Sequence, residues 1–213
     1  EIYQCDWSSD VCSSDLDVPQ YGKIKTDIVF GGQFYAQSDI SQFGVEIDPK
    51  NAREISRIGS AIKATVNAEM KQHHPDNPDL TYVNLVMLHN GDRKTGKQSR
   101  NAVVIPSGDP KMDNPNTWGG TIDRSPCGTG SSGRMAALHA RGQLAIGEEF
   151  SHKSILDTEF ICSIRGEAQA YGNKAILPTI KGSAWISGTA TWSVDPTDPF
   201  TEGYRLGDIW ALG

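Results

Sequence analysis

The run Asp-Arg-Ser-Pro-Cys-Gly-Thr-Gly-Ser-Ser at 123–132 constrains this chain more than any other stretch. Cys127 stands at the mouth of a glycine-rich turn, and residues 133–141 behind it read as a short helix closed by Gly142. A helix that starts there leaves its first N–H groups without intrahelical partners. Their partial positive charge favours a thiolate and can also seat a carboxylate. One segment thus offers a reactive sulfur beside an anion seat, which suits chemistry next to an amino-acid carboxylate.

Around it the sequence predicts many short strands and two substantial helices. Residues 18–30 read as strand, Gly31 and Gly32 as a bend, and the run to Ala36 as a second strand. Residues 43–47 are a further strand candidate. Asp48 then Pro49 form a helix start, and Ala52, Ile55, Ile58, Ile62, Val66 and Met70 keep helical spacing to about residue 71. Strands are expected at 82–88 and 101–106, with a turn at 90–96 between them and a polar loop through Gly120 after them. The tail predicts strands at 158–164, 175–181, 184–186 and 189–194. This order is α+β rather than regular βαβ alternation.

The 213 residues suffice for one large domain or a lobe of a bigger protein. A net charge of −6 leaves no basic footprint for nucleic acid, and no apolar run is long enough to span a membrane. No secretory signal pattern is present. The four cysteines (5, 12, 127 and 162) form no C-x-x-C pair and are too few for a disulfide scaffold, so free thiols in a reducing, cytoplasmic setting are expected. Cys162 reads as a buried strand residue.

Residues 1–16 show neither helical nor strand period, and Ser-Ser-Asp occurs at both 8–10 and 13–15. The stretch resembles translated sequencing-adapter read-through and is expected to be a non-native or disordered leader. It holds Glu1, Asp6, Asp10 and Asp15 and no Lys or Arg, so without it the net charge goes from −6 to −2. On this reading the natural reading frame extends further upstream.

Other chemistries share parts of the cysteine turn. Gly128 and Gly133 have P-loop spacing, but Arg134 and Met135 stand where Lys and Ser or Thr are needed. Arg134 is one residue too far from Cys127 for a cysteine-phosphatase cradle. His139 lies three turns along the helix, far for a hydrolase base. His73 and His74 sit in a polar loop without a third ligand, so no metal is expected. The plain structural alternative is a capping loop with an inert thiol.

Taken together, Asp123-Arg-Ser-Pro-Cys-Gly-Thr-Gly130 resembles the second-cysteine motif of the proline racemase family, which includes hydroxyproline 2-epimerases and a dehydratase branch. The likeness continues through Arg134-Met-Ala-Ala-Leu138 and Gly142-Gln-Leu144. It takes in Asp27-Ile-Val-Phe-Gly-Gly-Gln-Phe-Tyr-Ala36, Ile180-Lys-Gly-Ser-Ala-Trp-Ile-Ser-Gly188 and the end at 198–206. It covers residues 17–213, about three-fifths of a family member.

The resemblance implies one lobe of a diaminopimelate-epimerase-like two-lobe fold, with strands wrapped around a central helix and substrate between the lobes. It implies a cofactor-independent reaction in which one cysteine removes the Cα proton and a second protonates the opposite face. Cys127 would be one acid/base group, Gly128 and Thr129 would contact the substrate carboxylate, and Asp123 would hold the ammonium. The expected reaction is 2-epimerisation of 4-hydroxyproline or racemisation of proline. The alternatives are dehydration of trans-3-hydroxy-L-proline and a non-catalytic imino-acid-binding lobe. The dehydratase branch typically carries threonine in place of this cysteine, so Cys127 favours epimerisation. The partner is a small-molecule substrate, with a homodimer possible.

The chain departs from the family pattern in places. Ser131-Ser-Gly133 replaces a run ending in alanine, and Gly133 is expected to weaken the helix start by roughly 0.5–1 kcal/mol. Asp157 stands where the family favours glycine. The first-cysteine motif, Met-Cys-Gly-His, occurs nowhere. The chain is therefore expected to be a second lobe without its N-terminal lobe, inactive by itself, with an apolar interface exposed.

Overall fold

Asp48 starts the long helix, but in two stages. Its carboxylate accepts the Lys50 N–H and caps a 3-10 turn at Pro49–Asn51. The α-helix proper, α1, runs Ala52–Glu69. The computed structural model describes residues 12–90 and 98–204. The chain divides after Gly182 into two units.

The first unit is a mixed sheet on two helices. Its strands are β1 (Cys12–Val18), β2 (Gly22–Phe30), β3 (Phe34–Asp39), β4 (Leu85–His89), β5 (Gln98–Pro106), β6 (Gly120–Ile122), β7 (Glu149–Lys153), β8 (Glu159–Ala170) and β9 (Asn173–Lys181). The order is β1-β2-β3-β4-β5-β7-β8-β9, with β6 paired to β5. Two neighbour pairs are parallel, β3–β4 and β5–β7. A parallel pair cannot be closed by a hairpin and needs a crossover. Helix α1 makes the first crossover, and α2 (Gly128–Ala140) makes the second.

The strand period of two sends alternate residues to opposite faces. Ala36, Val86, Leu88, Ala102 and Val104 join Ile55, Ile58, Ile62 and Val66 of α1 in one core. Tyr35, Met87 and Val103, their immediate neighbours in sequence, join Ala137 of α2 and Cys127 in another. A third cluster holds Met135, Leu138, Phe150, Cys162 and Ile164 under β8 and β9. Each fully buried Ile or Val contributes about 1.5–3 kcal/mol.

Helix α1 is buried on more sides than its apolar period indicated. Ser56, Gly59, Ser60 and Thr65 are buried with the isoleucines. Ser56 and Ser60 donate to the carbonyls of Gly120 and Gly119. The helix therefore contacts β1, β3, β4, β5 and β6, and strands wrap around it as the α+β expectation held.

The structure corrects several local expectations. The boundary at 16/17 falls inside β1: residues 12–16 pair with β2, and Leu16 is buried in the α1 core. No strand forms at 43–47. Residues Ile40–Phe43 make a 3-10 turn, and Gly44 stops it in the left-handed region at φ 65°. β6 and β7 arise where no strand was expected, because β5 offers a backbone partner to each. The turn expected at 90–96 lies, apart from Asn90, outside the described residues. The second unit, over 183–204, has no helix or strand among its described residues, so the strands expected at 184–186 and 189–194 do not form. It exposes Trp185, Ile186 and Trp192.

Gly133 also differs from expectation. A Cβ there would stand 2.6 Å from Val29 Cγ2, so α2 lies against β2 only because the residue is glycine. Gly31 meets the same helix: its Cβ would lie 2.1 Å from the Thr129 carbonyl oxygen. The missing methyl at 133 allows close packing that outweighs its lost helix propensity. Gly133→Ala is therefore expected to destabilise the chain by about 1–3 kcal/mol in urea titration, although alanine is the better helix former. Adding Val29→Ala should recover part of the loss. Stabilisation by the single change would refute this packing account.

Candidate active site

Four residues singled out by sequence, Asp123, Cys127, Gly128 and Thr129, fall in the turn between β6 and the first residues of α2. Asp123 opens the turn. Its N–H donates to the Val103 carbonyl at 2.9 Å, and its carboxylate accepts the Ser125 N–H at 2.9 Å. Ser125 Oγ in turn accepts the Cys127 N–H at 3.1 Å. Two short polar residues thus wind the chain up to the cysteine.

Cys127 is the N-cap of α2, at φ 66° and ψ 122°. A positive φ is uncommon for a residue with a Cβ and costs on the order of 1–3 kcal/mol. The preceding peptide is held from two sides. Asn101 Nδ2 on β5 donates to the Pro126 carbonyl at 3.1 Å, and Ser131 Oγ donates to the same oxygen at 3.0 Å. Ser131 has one hydroxyl proton, so its 2.8 Å contact with His152 Nδ1 is donated by the imidazole. His152, on β7, therefore carries its proton on Nδ1. Its Nε2 is a bare acceptor with no hydrogen-bond partner among the described residues. Burial first and Arg134 second push the His152 pKa down to about 3, which keeps the ring neutral.

The sulfur faces a different set of groups. Tyr35 Oη on β3 lies 3.2 Å from Cys127 Sγ and 2.8 Å from Thr129 Oγ1. Thr129 Oγ1 is 3.8 Å from the same sulfur. Burial first, and then the contact with Cys127, raise the Tyr35 phenol well above its ordinary range, so it keeps its proton. Gln37, also on β3, donates to the Gly130 carbonyl at 2.9 Å. The N–H groups of Gly128, Thr129 and Gly130 precede the first ladder bond of α2, from Ser131 N–H to the Cys127 carbonyl. Like the first N–H groups of any helix, they have no carbonyl of the preceding turn to bond.

The thiol is less open than expected. Cys127 is 8% exposed, while Gly128 beside it is exposed and Asp123 and Thr129 are half-buried. A groove of about 930 Å³ lies elsewhere, lined by Arg53, Arg57, Trp118 and Arg124, and Cys127 does not border it.

The remaining candidates are structural. Cys162 is fully buried, and burial raises its thiol to about 12. His139 meets the Leu144 carbonyl at 2.9 Å and Glu167 at 3.1 Å, contacts that raise its pKa in that order. His74 Nδ1 accepts the N–H groups of Asp76 and Asn77. No group of three or more metal-ligating side chains occurs among the described residues. No helix there is long and apolar enough to cross a membrane. Asp157 adopts φ 62°, which explains why glycine suits that position; here its carboxylate pairs with Arg100. Sequence reasoning missed Tyr35, Asn101, Ser131 and His152 as parts of the site. Tyr35 lay inside a quoted motif, but nothing local pointed it at a sulfur 92 residues away.

An α+β unit with a cysteine at a helix N-terminus leaves its class to be settled by the site and by its relatives, not by the fold alone. The proline racemase family model matches residues 9–205. The chain belongs to the proline racemase family. It is 35% identical over 195 residues to 4-hydroxyproline 2-epimerase 1 of Rhizobium rhizogenes, covering 92% of this chain and 52% of that protein. It is also 35% identical over 196 residues to 4-hydroxyproline 2-epimerase of Rhizobium etli, covering 92% and 53%. Among solved structures it resembles a probable proline racemase from Agrobacterium radiobacter K84 with bound carbonate. The TM-score there is 0.74 at 34% identity, over 94% of this chain and 55% of that one. A hydroxyproline epimerase from Agrobacterium vitis with bound trans-4-hydroxy-L-proline matches with TM-score 0.71 and 33% identity, again over 94% and 55%. The chain spans about half the length of the curated relatives it matches.

The buried neutral imidazole has a consequence for acid stability. Unfolded His152 takes up a proton near pH 6.5, whereas the folded ring does not until about 3. Stability is therefore lost as pH falls below the unfolded value, by on the order of 2 kcal/mol between about pH 7 and about pH 5. His152→Gln should lose less over that interval in urea titrations. Equal slopes for the two proteins would exclude His152 as the source.

Proposed function

We propose that this chain carries one acid/base group of a 2-epimerase acting on 4-hydroxyproline or proline. The observation that carries the reading is the sulfur of Cys127, held at the N-terminus of α2 with the Gly128 and Thr129 amides and Asp123 in the same turn. Relatives named 4-hydroxyproline 2-epimerase support the substrate class, as does the structural neighbour that binds trans-4-hydroxy-L-proline.

In this reading the Cys127 thiolate takes the Cα proton, forming an S–H bond as the Cα–H bond breaks. The electron pair left at Cα delocalises into the carboxylate, where the Gly128 and Thr129 N–H groups stabilise it. Asp123 pairs with the substrate ammonium. A second acid then returns a proton to the opposite face. Cys162 does not suit that role: it is sealed in the third core cluster and burial holds it protonated. The second acid/base is thus assigned to a group other than Cys127 and Cys162, and on this reading it belongs to a first lobe outside residues 17–213, so the chain alone is expected not to invert its substrate.

Two measurements test this. Pyrrole-2-carboxylate, a planar analogue, should slow iodoacetamide labelling of Cys127 about threefold when present at twice its dissociation constant. Asp123→Asn should leave that protection partly intact, because the planar analogue lacks a substrate ammonium, yet abolish protection by trans-4-hydroxy-L-proline. Absence of protection by either ligand would overturn the assignment. With the unmodified chain, optical rotation of trans-4-hydroxy-L-proline should stay constant; turnover would place both acid/base groups within it.

A further inference from the structure

The Cys127 sulfur has one buried hydroxyl against it, and that hydroxyl has a second partner. Tyr35 is fully buried, with Oη 3.2 Å from Sγ and 2.8 Å from Thr129 Oγ1. Each hydroxyl has one proton to donate and lone pairs to accept with. If the sulfur is a thiolate, the consistent arrangement is Thr129 O–H donating to Tyr35 Oη and Tyr35 O–H donating to the sulfur. If the sulfur is a thiol, both bonds reverse: S–H donates to Tyr35 Oη, and Tyr35 O–H donates to Thr129 Oγ1. Neither state leaves a buried hydroxyl unpaired. No atom moves except hydroxyl hydrogens.

We propose that Tyr35 is a positioning residue whose hydroxyl, backed by Thr129, reverses its hydrogen bond to Cys127 as the sulfur gains or loses a proton. The inference rests on the reading of Cys127 as an acid/base group. Such a group must act as acid in one direction and base in the other, so a partner that satisfies both states keeps the two close in free energy. It also divides the work of Thr129. Its hydroxyl serves the tyrosine, and its backbone N–H serves the carboxylate.

The surroundings leave Tyr35 as the sulfur's polar neighbour on the sheet side. Met87 and Val103 from β4 and β5, with Val29 from β2, close that side with apolar groups. Asp123 acts on Tyr35 from the turn at longer range. Arg134 and His152 lie behind the turn, where His152 engages Ser131.

The test compares Cys127 alkylation in the chain and in Tyr35→Phe, read peptide by peptide by mass spectrometry. Phenylalanine keeps the ring and removes only the hydroxyl. At neutral pH the variant should react about tenfold more slowly, the loss expected when a thiolate is deprived of one charge-assisted hydrogen bond. At strongly alkaline pH, where both sulfurs are ionised, the gap should close or reverse, because an unbonded thiolate is the better nucleophile. Cys162 serves as the folding control and should stay unlabelled in both proteins. A rate ratio that does not change with pH would show altered access instead and overturn the proposal, as would identical rates. Protection of Cys127 by pyrrole-2-carboxylate is measured in parallel. Protection without a pH-dependent Tyr35 effect defeats this inference alone, and the effect without protection defeats the epimerase reading.

Discussion

The Pro126 carbonyl oxygen is gripped by two donors, and that grip decides where the Cys127 sulfur points. A cysteine at φ 66° is strained by on the order of 1–3 kcal/mol. Two buried hydrogen bonds of about 0.5–1.5 kcal/mol each are enough to offset that. Their value lies in geometry as much as energy. Asn101 comes from β5, Ser131 from α2, and His152 behind it from β7. Three elements far apart in sequence must be in register before the peptide can take this shape. The site is therefore a product of the assembled fold and not of the turn alone.

That assembly depends on a sheet buried on both faces. In β3, β4 and β5 the odd and even positions are both apolar, or polar and paired, so each strand serves two cores at once. Ala36 faces α1 while Tyr35 faces the cysteine, and Val86 and Met87 divide in the same way. The functional hydroxyl of Tyr35 is thus fixed by the same alternation that packs α1. Moving β3 by one residue would exchange the two faces and bury the hydroxyl against isoleucines. Close backbone approach at Gly31 and Gly133 then brings β2 and α2 together without intervening side chains.

Much of this was legible in the sequence, for reasons that differ by element. The helix α1 was readable because Asp48, Pro49 and the spacing of Ile55, Ile58 and Ile62 are local signals. Its burial on the serine side was not, since Ser56 and Ser60 are explained only by the Gly119 and Gly120 carbonyls opposite them. The cysteine turn was readable because its chemistry is written in consecutive residues. Its clamp was not, because Asn101, His152 and Tyr35 reach it across 21 to 92 positions. His152 in particular drew no reading from the sequence; only its position opposite Ser131 makes it structural. Strands β6 and β7 were missed for a related reason. Three and five residues long, they exist because β5 presents unpaired backbone beside them.

The same contacts bear on how the chemistry is divided. Every side chain found to act on Cys127 lies between Tyr35 and His152, inside the first unit. The strain, the clamp, the hydroxyl pair and the amide seat need nothing from residues beyond Gly182. On the proposed reading, one proton carrier is therefore assembled from residues of this unit. Among the described residues, Gly128 beside the sulfur is exposed while Cys127 itself is nearly buried. On the proposed reading, a planar intermediate seated on those amides would present one face to Cys127 and turn the second away from it. Inversion needs a proton donor on that second face, whereas binding and one-sided proton exchange do not. On the proposed reading, seating the substrate with one-sided proton exchange is separable from inversion, and the Cys127 turn serves the first of these.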